Sequence, residues 1–448
     1  MRRRLMTSKP IIDNTTPRVS ALKTRLCLMM FIQYFVQGCY LPIISLYLQD
    51  TLKFSKLDVG YFGSALAVGP LFAPFVIGQL VDRKFATDRV LAFCHLSGGV
   101  TMLALYQQTS ITPILVLGVL YSLLYVPSMM LTNSLTFYHL KDDERERFFP
   151  WIRLFGTLGF IVPAWLIELV FLKGLTGTEL DDGRGVALLA AGIAGLVMGV
   201  YSLLLPHTPP IPDPNRKFAP GLAMRLARQQ RFLILISVSI IVAVVHKFFF
   251  VVNSPYLKYI LSECGIQGAW EQRLSSLGQI AEIAVMASLG WMIKRAGFKR
   301  TMLLGIAAYT LRCVIFAFAP ALSASAEATM ALVCVGQLMH GLCFGCFLAT
   351  AFIYIDATAP ADIRGSVQNL YGTFVLGVGF FIGGFVSGWI SKAFETTVDG
   401  ITETNWNMIW LSSAGIALAG WLLFAWLFPP SGSETGEATS DDSASRPS

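Results

Sequence analysis

Charge is what this sequence has least of. Only 14% of its 448 residues are Asp, Glu, Lys or Arg, while 54% are hydrophobic and the mean hydropathy is +0.61. A soluble domain carries about 25% charged residues, so a chain this poor in them reads as a polytopic membrane protein. Catalytic signatures are missing as well. No HExxH, GxSxG or P-loop pattern occurs and no His-rich ligand cluster is present, which argues against a polytopic enzyme. No appended soluble domain is in view, which argues against a non-transporting sensor. Of the eight cysteines, Cys27, Cys39, Cys94, Cys313, Cys334, Cys343 and Cys346 sit in apolar runs and read as small buried hydrophobes. Cys343 and Cys346 have CxxC spacing without His or carboxylate neighbours in sequence, so no redox centre, metal or cofactor is expected.

What the chain does have is long apolar runs, and they fall into two sets of six. The first set is Leu26 to Leu48, Val59 to Val81, Val90 to Tyr106, Ile114 to Phe137, Phe148 to Leu172 and Ala187 to Leu205. The second is Phe232 to Ile260, Leu274 to Ile293, Thr301 to Ala319, Ala328 to Ile355, Val367 to Ile390 and Trp406 to Leu427. Each is about the length a helix needs to cross roughly 30 Å of hydrocarbon. The expected fold is therefore all-α, with twelve transmembrane helices in two six-helix bundles, 25–206 and 232–429. Between them, 207–231 is Pro-rich and carries Arg216, Lys217, Arg225, Arg228 and Arg231, as a cytoplasmic linker would.

Basic residues mark one side throughout. Arg83, Lys84 and Arg89 follow the second run, Lys141, Arg145 and Arg147 the fourth, Lys294, Arg295, Lys299 and Arg300 the eighth, and Arg364 the tenth. The alternate loops are short or acidic, with Glu179, Asp181 and Asp182 in one of them. The positive-inside rule places both termini in the cytoplasm, and it accounts for the net charge of +7 without a nucleic-acid partner. The basic segment 1–24 lacks a small-residue cleavage site and reads as cytoplasmic rather than as a signal peptide. The acidic, apolar-poor segment 430–448 reads as a disordered cytoplasmic tail.

The two halves echo one another. Gly78, Asp82, Arg83 and Lys84 follow the second run, and Gly290, Lys294 and Arg295 follow the eighth. Both stretches resemble the signature loop of the major facilitator superfamily, Gly-x-x-x-Asp-Arg-x-Gly-Arg-Lys, with Lys294 in place of the acid in the second copy. The resemblance implies that Gly78, Asp82 and Arg83 belong to a conformational loop, and that cargo is held near the membrane midplane between the bundles.

Within LSSLGQIAEIAVMASLGWMI, Leu274 to Ile293, the one ionisable side chain is Glu282. A charge at bilayer depth costs at least about 2.5 kcal/mol, so it marks a cargo or ion path more often than a lipid contact. Gln279 lies three residues earlier, on the same helix face. The competing reading is a carboxylate permanently paired with an arginine such as Arg312. In the fifth run Arg153, Thr157 and Phe160 share one face, offering a cation, a hydroxyl and a ring, unless Arg153 snorkels to the interface. The tenth run places His340 and Phe344 four apart, and the seventh contains His246-Lys247-Phe248-Phe249-Phe250. Together these stripes supply donors, acceptors and rings with few fixed charges, which suits a neutral, polar, ring-bearing solute.

A longer resemblance runs along most of the chain. FIQYFVQG (Phe31 to Gly38), LTNSLTFYHL (Leu131 to Leu140), IRLFGTLGF (Ile152 to Phe160), QIAE (Gln279 to Glu282), LRCVIFAF (Leu311 to Phe318), RGSVQ (Arg364 to Gln368) and GGFVSG (Gly383 to Gly388) occur in order. They resemble the nucleoside:proton symporters, the bacterial nucleoside and xanthosine permeases of the inner membrane. The resemblance implies a monomeric permease that imports a nucleoside with protons across the bilayer by alternating access. It implies substrate contacts from Arg153, Thr157, Phe160, His246, Gln279, Glu282, His340 and Phe344, with Phe344 stacking on the base and Glu282 coupling the proton. His340 stands where the family has a tyrosine, and His246 and Phe249 where it has a glutamine and an asparagine. Gly345 stands where relatives can carry an acid. A permease of the same fold for a sugar, oligosaccharide or aromatic acid is the alternative.

Overall fold

In hydrocarbon no water satisfies a backbone N–H or C=O, so apolar runs of this length fold as helices. A computed structural model describes residues 16–73, 85–210, 229–322, 325–360, 364–399 and 401–429. Ten of its helices are long and apolar enough to cross a membrane. The principal helices are α1 (Thr16–Tyr40), α2 (Lys56–Ala65), α3 (Thr87–Tyr106), α4 (Ile111–His139), α5 (Asp142–Leu166) and α6 (Val186–Leu203). They continue with α7 (Gln230–Glu263), α8 (Glu271–Leu322), α9 (Ala326–Thr358), α10 (Arg364–Ala393) and α11 (Trp406–Leu427). The start of α2 is set by a capping box: Ser55 Oγ accepts from the Asp58 N–H, and the Asp58 carboxylate accepts from the Ser55 N–H.

Two details depart from the sequence reading. The loop expected between the eighth and ninth runs shrinks to a kink: the two helices, which together span Glu271–Leu322 and are labelled α8, meet where Gly297 adopts φ 77° and ψ 166°. That backbone conformation is open to glycine and strained for other residues, so one residue serves as the connection. The second departure is a β-hairpin in a fold expected to be all-α. Glu395–Val398 and Ile401–Thr404 pair antiparallel. Their Thr-, Val- and Ile-rich alternation and the Asp399-Gly400 dipeptide are hairpin signals, and Asp399 has the required positive φ of 51°.

Because lipid tails are as apolar as leucine, spans associate by close packing of small residues. A Cβ on Gly38 would fall 2.3 Å from the Phe160 carbonyl oxygen, and one on Gly159 would fall 2.1 Å from that of Phe31. This presses α1 onto α5. Gly60 of α2 meets Gly384 and Gly388 of α10 in the same way. The loop residues Gly78, Asp82 and Arg83, most of the 207–231 linker and the 430–448 tail lie outside the described residues.

Candidate functional site

The site is assembled where α8 crosses α9. Gly278 lies against His340, and Gly341 lies against the backbone of Ala281 and Glu282. The absence of Cβ atoms at 278 and 341 lets the two helices touch, so the stretch of α8 that carries Gln279 and Glu282 packs on the stretch of α9 that carries His340. Glu282 is half-buried, and it makes no hydrogen bond or ion pair among the described residues. Gln279 is 7% exposed and its amide likewise has no hydrogen-bond partner among them. From α5, the Arg153 guanidinium lies within electrostatic reach of Glu282 without closing an ion pair. It rests on the Tyr34 ring of α1, with its guanidinium carbon 4.3 Å from the ring centre. Helices α5 and α8 are also joined directly, since Trp165 Nε1 donates to Ser276 Oγ at 3.0 Å.

The pairing of Glu282 with Arg312 weighed from the sequence is not found. Arg312 is fully buried and directs Nη1 to His340 Nδ1 at 3.0 Å. Its charge lies 4.0 Å from the ring centre of Phe249 and 5.2 Å from that of Tyr309. A guanidinium carries donors and no acceptor, and aromatic faces stabilise its charge where water is excluded.

Around this pair the rings form a wall. His246 and His340 lie 5.4 Å apart. Phe380 stacks on His246 at 5.5 Å, Phe249 stacks on His340 at 5.1 Å, and Phe344 stands 6.0 Å from His246. His246 Nδ1 is 2.7 Å from the Tyr309 hydroxyl. Phe344 opens a π-helical turn, Phe344–Ala349, of the kind that interrupts helices at functional sites. Geometry thus gathers His246, Gln279, Glu282, His340 and Phe344, with Arg153 facing them from α5. Phe160 instead packs in the apolar cluster around Leu26, Met30 and Tyr34, and Thr157 is half-buried between Arg153 and Phe160 on α5.

Sequence reasoning passed over several polar partners. Tyr309 was reachable, being one turn before Arg312 on the same face. Asn253 donates to Ser275 Oγ at 3.0 Å and accepts from Gln337 Nε2 at 2.7 Å, tying α7 to α8 and α9. In the N-terminal helices Gln33 donates to Ser128 at 2.9 Å and accepts from His95 at 2.7 Å. The signal in each case is an amide or imidazole inside an apolar run.

At the helix ends opposite the basic loops, charged groups join early helices to late ones. The buried Glu168 carboxylate, just past α5, accepts from the N–H groups of Gln272 and Arg273 at 2.7 and 3.2 Å, and from Arg273 Nε at 2.8 Å. Arg184 contacts Asp181 and reaches Glu271 at 2.7 Å. Lys258 holds Asp50 at 2.6 Å and Asp181 at 2.8 Å, and Lys56 meets Glu395 at 3.3 Å. A cleft of about 560 Å³ lies apart from the ring wall, lined by Leu261, Trp270, Leu274, Met330 and other mainly apolar residues. Among the described residues no three His, Cys, Asp or Glu side chains converge as a metal site.

Comparison with known proteins agrees with this architecture. YegT of Escherichia coli (strain K12), assigned by name to nucleoside transport, is 30% identical over 426 residues, covering 93% of this chain and 96% of its own. The xanthosine permease of the same organism is 28% identical, covering 89% and 94%. The fold is similar to the crystal structure of the nucleoside transporter NupG, with a TM-score of 0.79 at 24% identity over 91% of this chain and 99% of that one. It is also similar to the POT family transporter PepTSo, with a TM-score of 0.67 at 14% identity over 90% and 97%. Residues 20–433 match the sequence pattern of the nucleoside H+ symporters, and with these helices and relatives the chain is a multi-pass membrane protein that belongs to the nucleoside H+ symporter family.

Proposed function

We propose that the chain is a permease that imports nucleosides across the inner membrane together with protons. The observation that carries this reading is the unpaired Glu282 carboxyl, which lies within the field of Arg153 and of Tyr309, on the helix stretch whose backbone packs against the one bearing His340. A carboxylate locked in an ion pair stays ionised, whereas one left without a partner in a low-dielectric site can exchange a proton with the cargo path. The ring of Phe344 offers a base a stacking face. The amide of Gln279 and the imidazoles of His246 and His340 offer hydrogen bonds to base edges or ribose hydroxyls. Arg153 and Thr157 complete the site from α5, while Phe160, on the same face, packs on the cluster around Leu26, Met30 and Tyr34.

The architecture we propose is the major facilitator arrangement of two six-helix bundles, 25–206 and 232–429, with a cytoplasmic linker at 207–231. The ten long helices reach twelve spans when α8 is counted as two at Gly297 and the second apolar run, Val59 to Val81, is counted as a span. Both termini are placed in the cytoplasm by the positive-inside rule, and the protein acts as a monomer. Rocking of one bundle against the other exposes the site to each side in turn. The ion pairs from Asp50, Glu168, Asp181 and Arg184 to Lys258, Glu271 and Arg273 hold the outer side shut in this state. The test is uptake of labelled uridine into proteoliposomes under an imposed proton gradient, with unlabelled nucleosides, sugars and aromatic acids as competitors. Competition by sugars or aromatic acids in place of nucleosides would overturn the cargo assignment.

A further inference from the structure

His340 is 2% exposed and stands in the ring wall that the function proposed above assigns to cargo, and an imidazole presents either a donor or an acceptor according to its tautomer. Here the choice is made by its neighbour. Arg312 Nη1 lies 3.0 Å from His340 Nδ1, and a guanidinium can only donate. Nδ1 must therefore carry the lone pair, and the proton of the neutral ring falls on Nε2. Arg312 is held in that pose by the ring faces of Phe249 and Tyr309, at 4.0 and 5.2 Å. Its Nε and Nη2 are buried without a hydrogen-bond partner among the described residues. The bond to His340 and the two ring faces together set its placement. His246 has no such constraint, because the Tyr309 hydroxyl at 2.7 Å from its Nδ1 can donate or accept.

We propose that Arg312 is a positioning residue that fixes His340 as the Nε2–H tautomer, so that this wall offers cargo a donor and favours a ring bearing a carbonyl oxygen over one bearing an amino group. The choice of nucleosides as cargo rests on the reading above; the tautomer does not. Uridine and inosine carry the oxo group where cytidine and adenosine carry the amino group, which makes two matched pairs of probes.

Two measurements test this. In ligand-free protein with 15N-labelled histidine, the His340 signals, assigned by comparison with His340→Gln, are expected to show a protonated Nε2 and a bare Nδ1 near neutral pH. A protonated Nδ1 would overturn the proposal. In thermal-shift titrations the oxo member of each pair is expected to bind about tenfold more tightly than its amino partner, the factor one well-placed hydrogen bond can supply. Arg312→Met is expected to flatten that preference, while Arg312→Lys, which keeps a charged donor, retains part of it. An unchanged preference in Arg312→Met, or a preference for the amino members in the native protein, sinks the proposal. If none of the four nucleosides stabilises the protein while the 15N signals show the expected tautomer, the nucleoside reading falls and the assignment of Arg312 stands.

Discussion

Gly341 of α9 stands so close to Glu282 of α8 that a Cβ at position 341 would lie 2.7 Å from the Glu282 backbone nitrogen. The helix that carries the carboxyl and the helix that carries His340 are therefore in backbone contact. Gly341→Val should drive them apart. Overpacking of this kind costs about 1–3 kcal/mol, so the variant is expected to unfold at lower temperature in detergent and to lose most uptake. Normal melting together with normal uptake would show that the crossing tolerates a side chain.

Glu282→Gln keeps the shape and hydrogen-bonding capacity of the side chain and removes its exchangeable proton. Uphill accumulation of nucleoside driven by a proton gradient is expected to vanish, while equilibrium exchange of labelled for unlabelled nucleoside persists at a measurable rate. Continued accumulation against a gradient by this variant would remove Glu282 from the coupling step.

Glu168 accepts the backbone N–H groups of Gln272 and Arg273 from within the protein. Breaking a buried charge pair by removing one partner costs about 3–5 kcal/mol, here spent on the contact between α5 and the start of α8. Glu168→Gln is expected to speed hydrogen–deuterium exchange in the segment 269–276 without altering exchange at the α8–α9 crossing. Unchanged exchange at 269–276 would mean that this contact does not hold the two helices together.

Lys247 is 6% exposed on α7, near Gly63 of α2 and Gly383 of α10, and it has no ion pair among the described residues. A buried cation without a counter-charge is costly. Lys247→Met should therefore raise the apparent melting temperature by a few degrees. A fall in melting temperature would point to a counter-charge that the ammonium group needs.

The parts legible in the sequence were those that depend on neighbours along one helix. The facing of Gln279 and Glu282, the stripe Arg153, Thr157 and Phe160, and the pair His340 and Phe344 follow from helical spacing alone. Partnership between helices does not. Arg312 was weighed as a partner for Glu282, and it bonds His340, 28 residues away, because nothing in spacing tells which of two neighbouring helices a long side chain will face. The ion pairs joining Asp50, Glu168, Asp181 and Arg184 to Lys258, Glu271 and Arg273 are hidden for the same reason, since the partners lie far apart in sequence. The hairpin is written in Thr396, Thr397, Val398, Ile401 and Thr402, but two four-residue strands between long apolar runs carry too short an alternation to stand out from a polar loop.

Gly297 has a mechanical consequence. The arm of α8 that bears Glu282 and the arm that bears Tyr309 and Arg312 meet at this single residue, with Thr301 Oγ1 bonded back to the Gly297 carbonyl at 2.8 Å and Lys299 bonded to the Ala425 carbonyl at 2.9 Å. Two bars joined at one elbow cannot travel separately. Whatever tilts the carboxyl-bearing bar must drag or pivot the arginine-bearing one, so under the function proposed above Glu282 and Arg312 would share a lever.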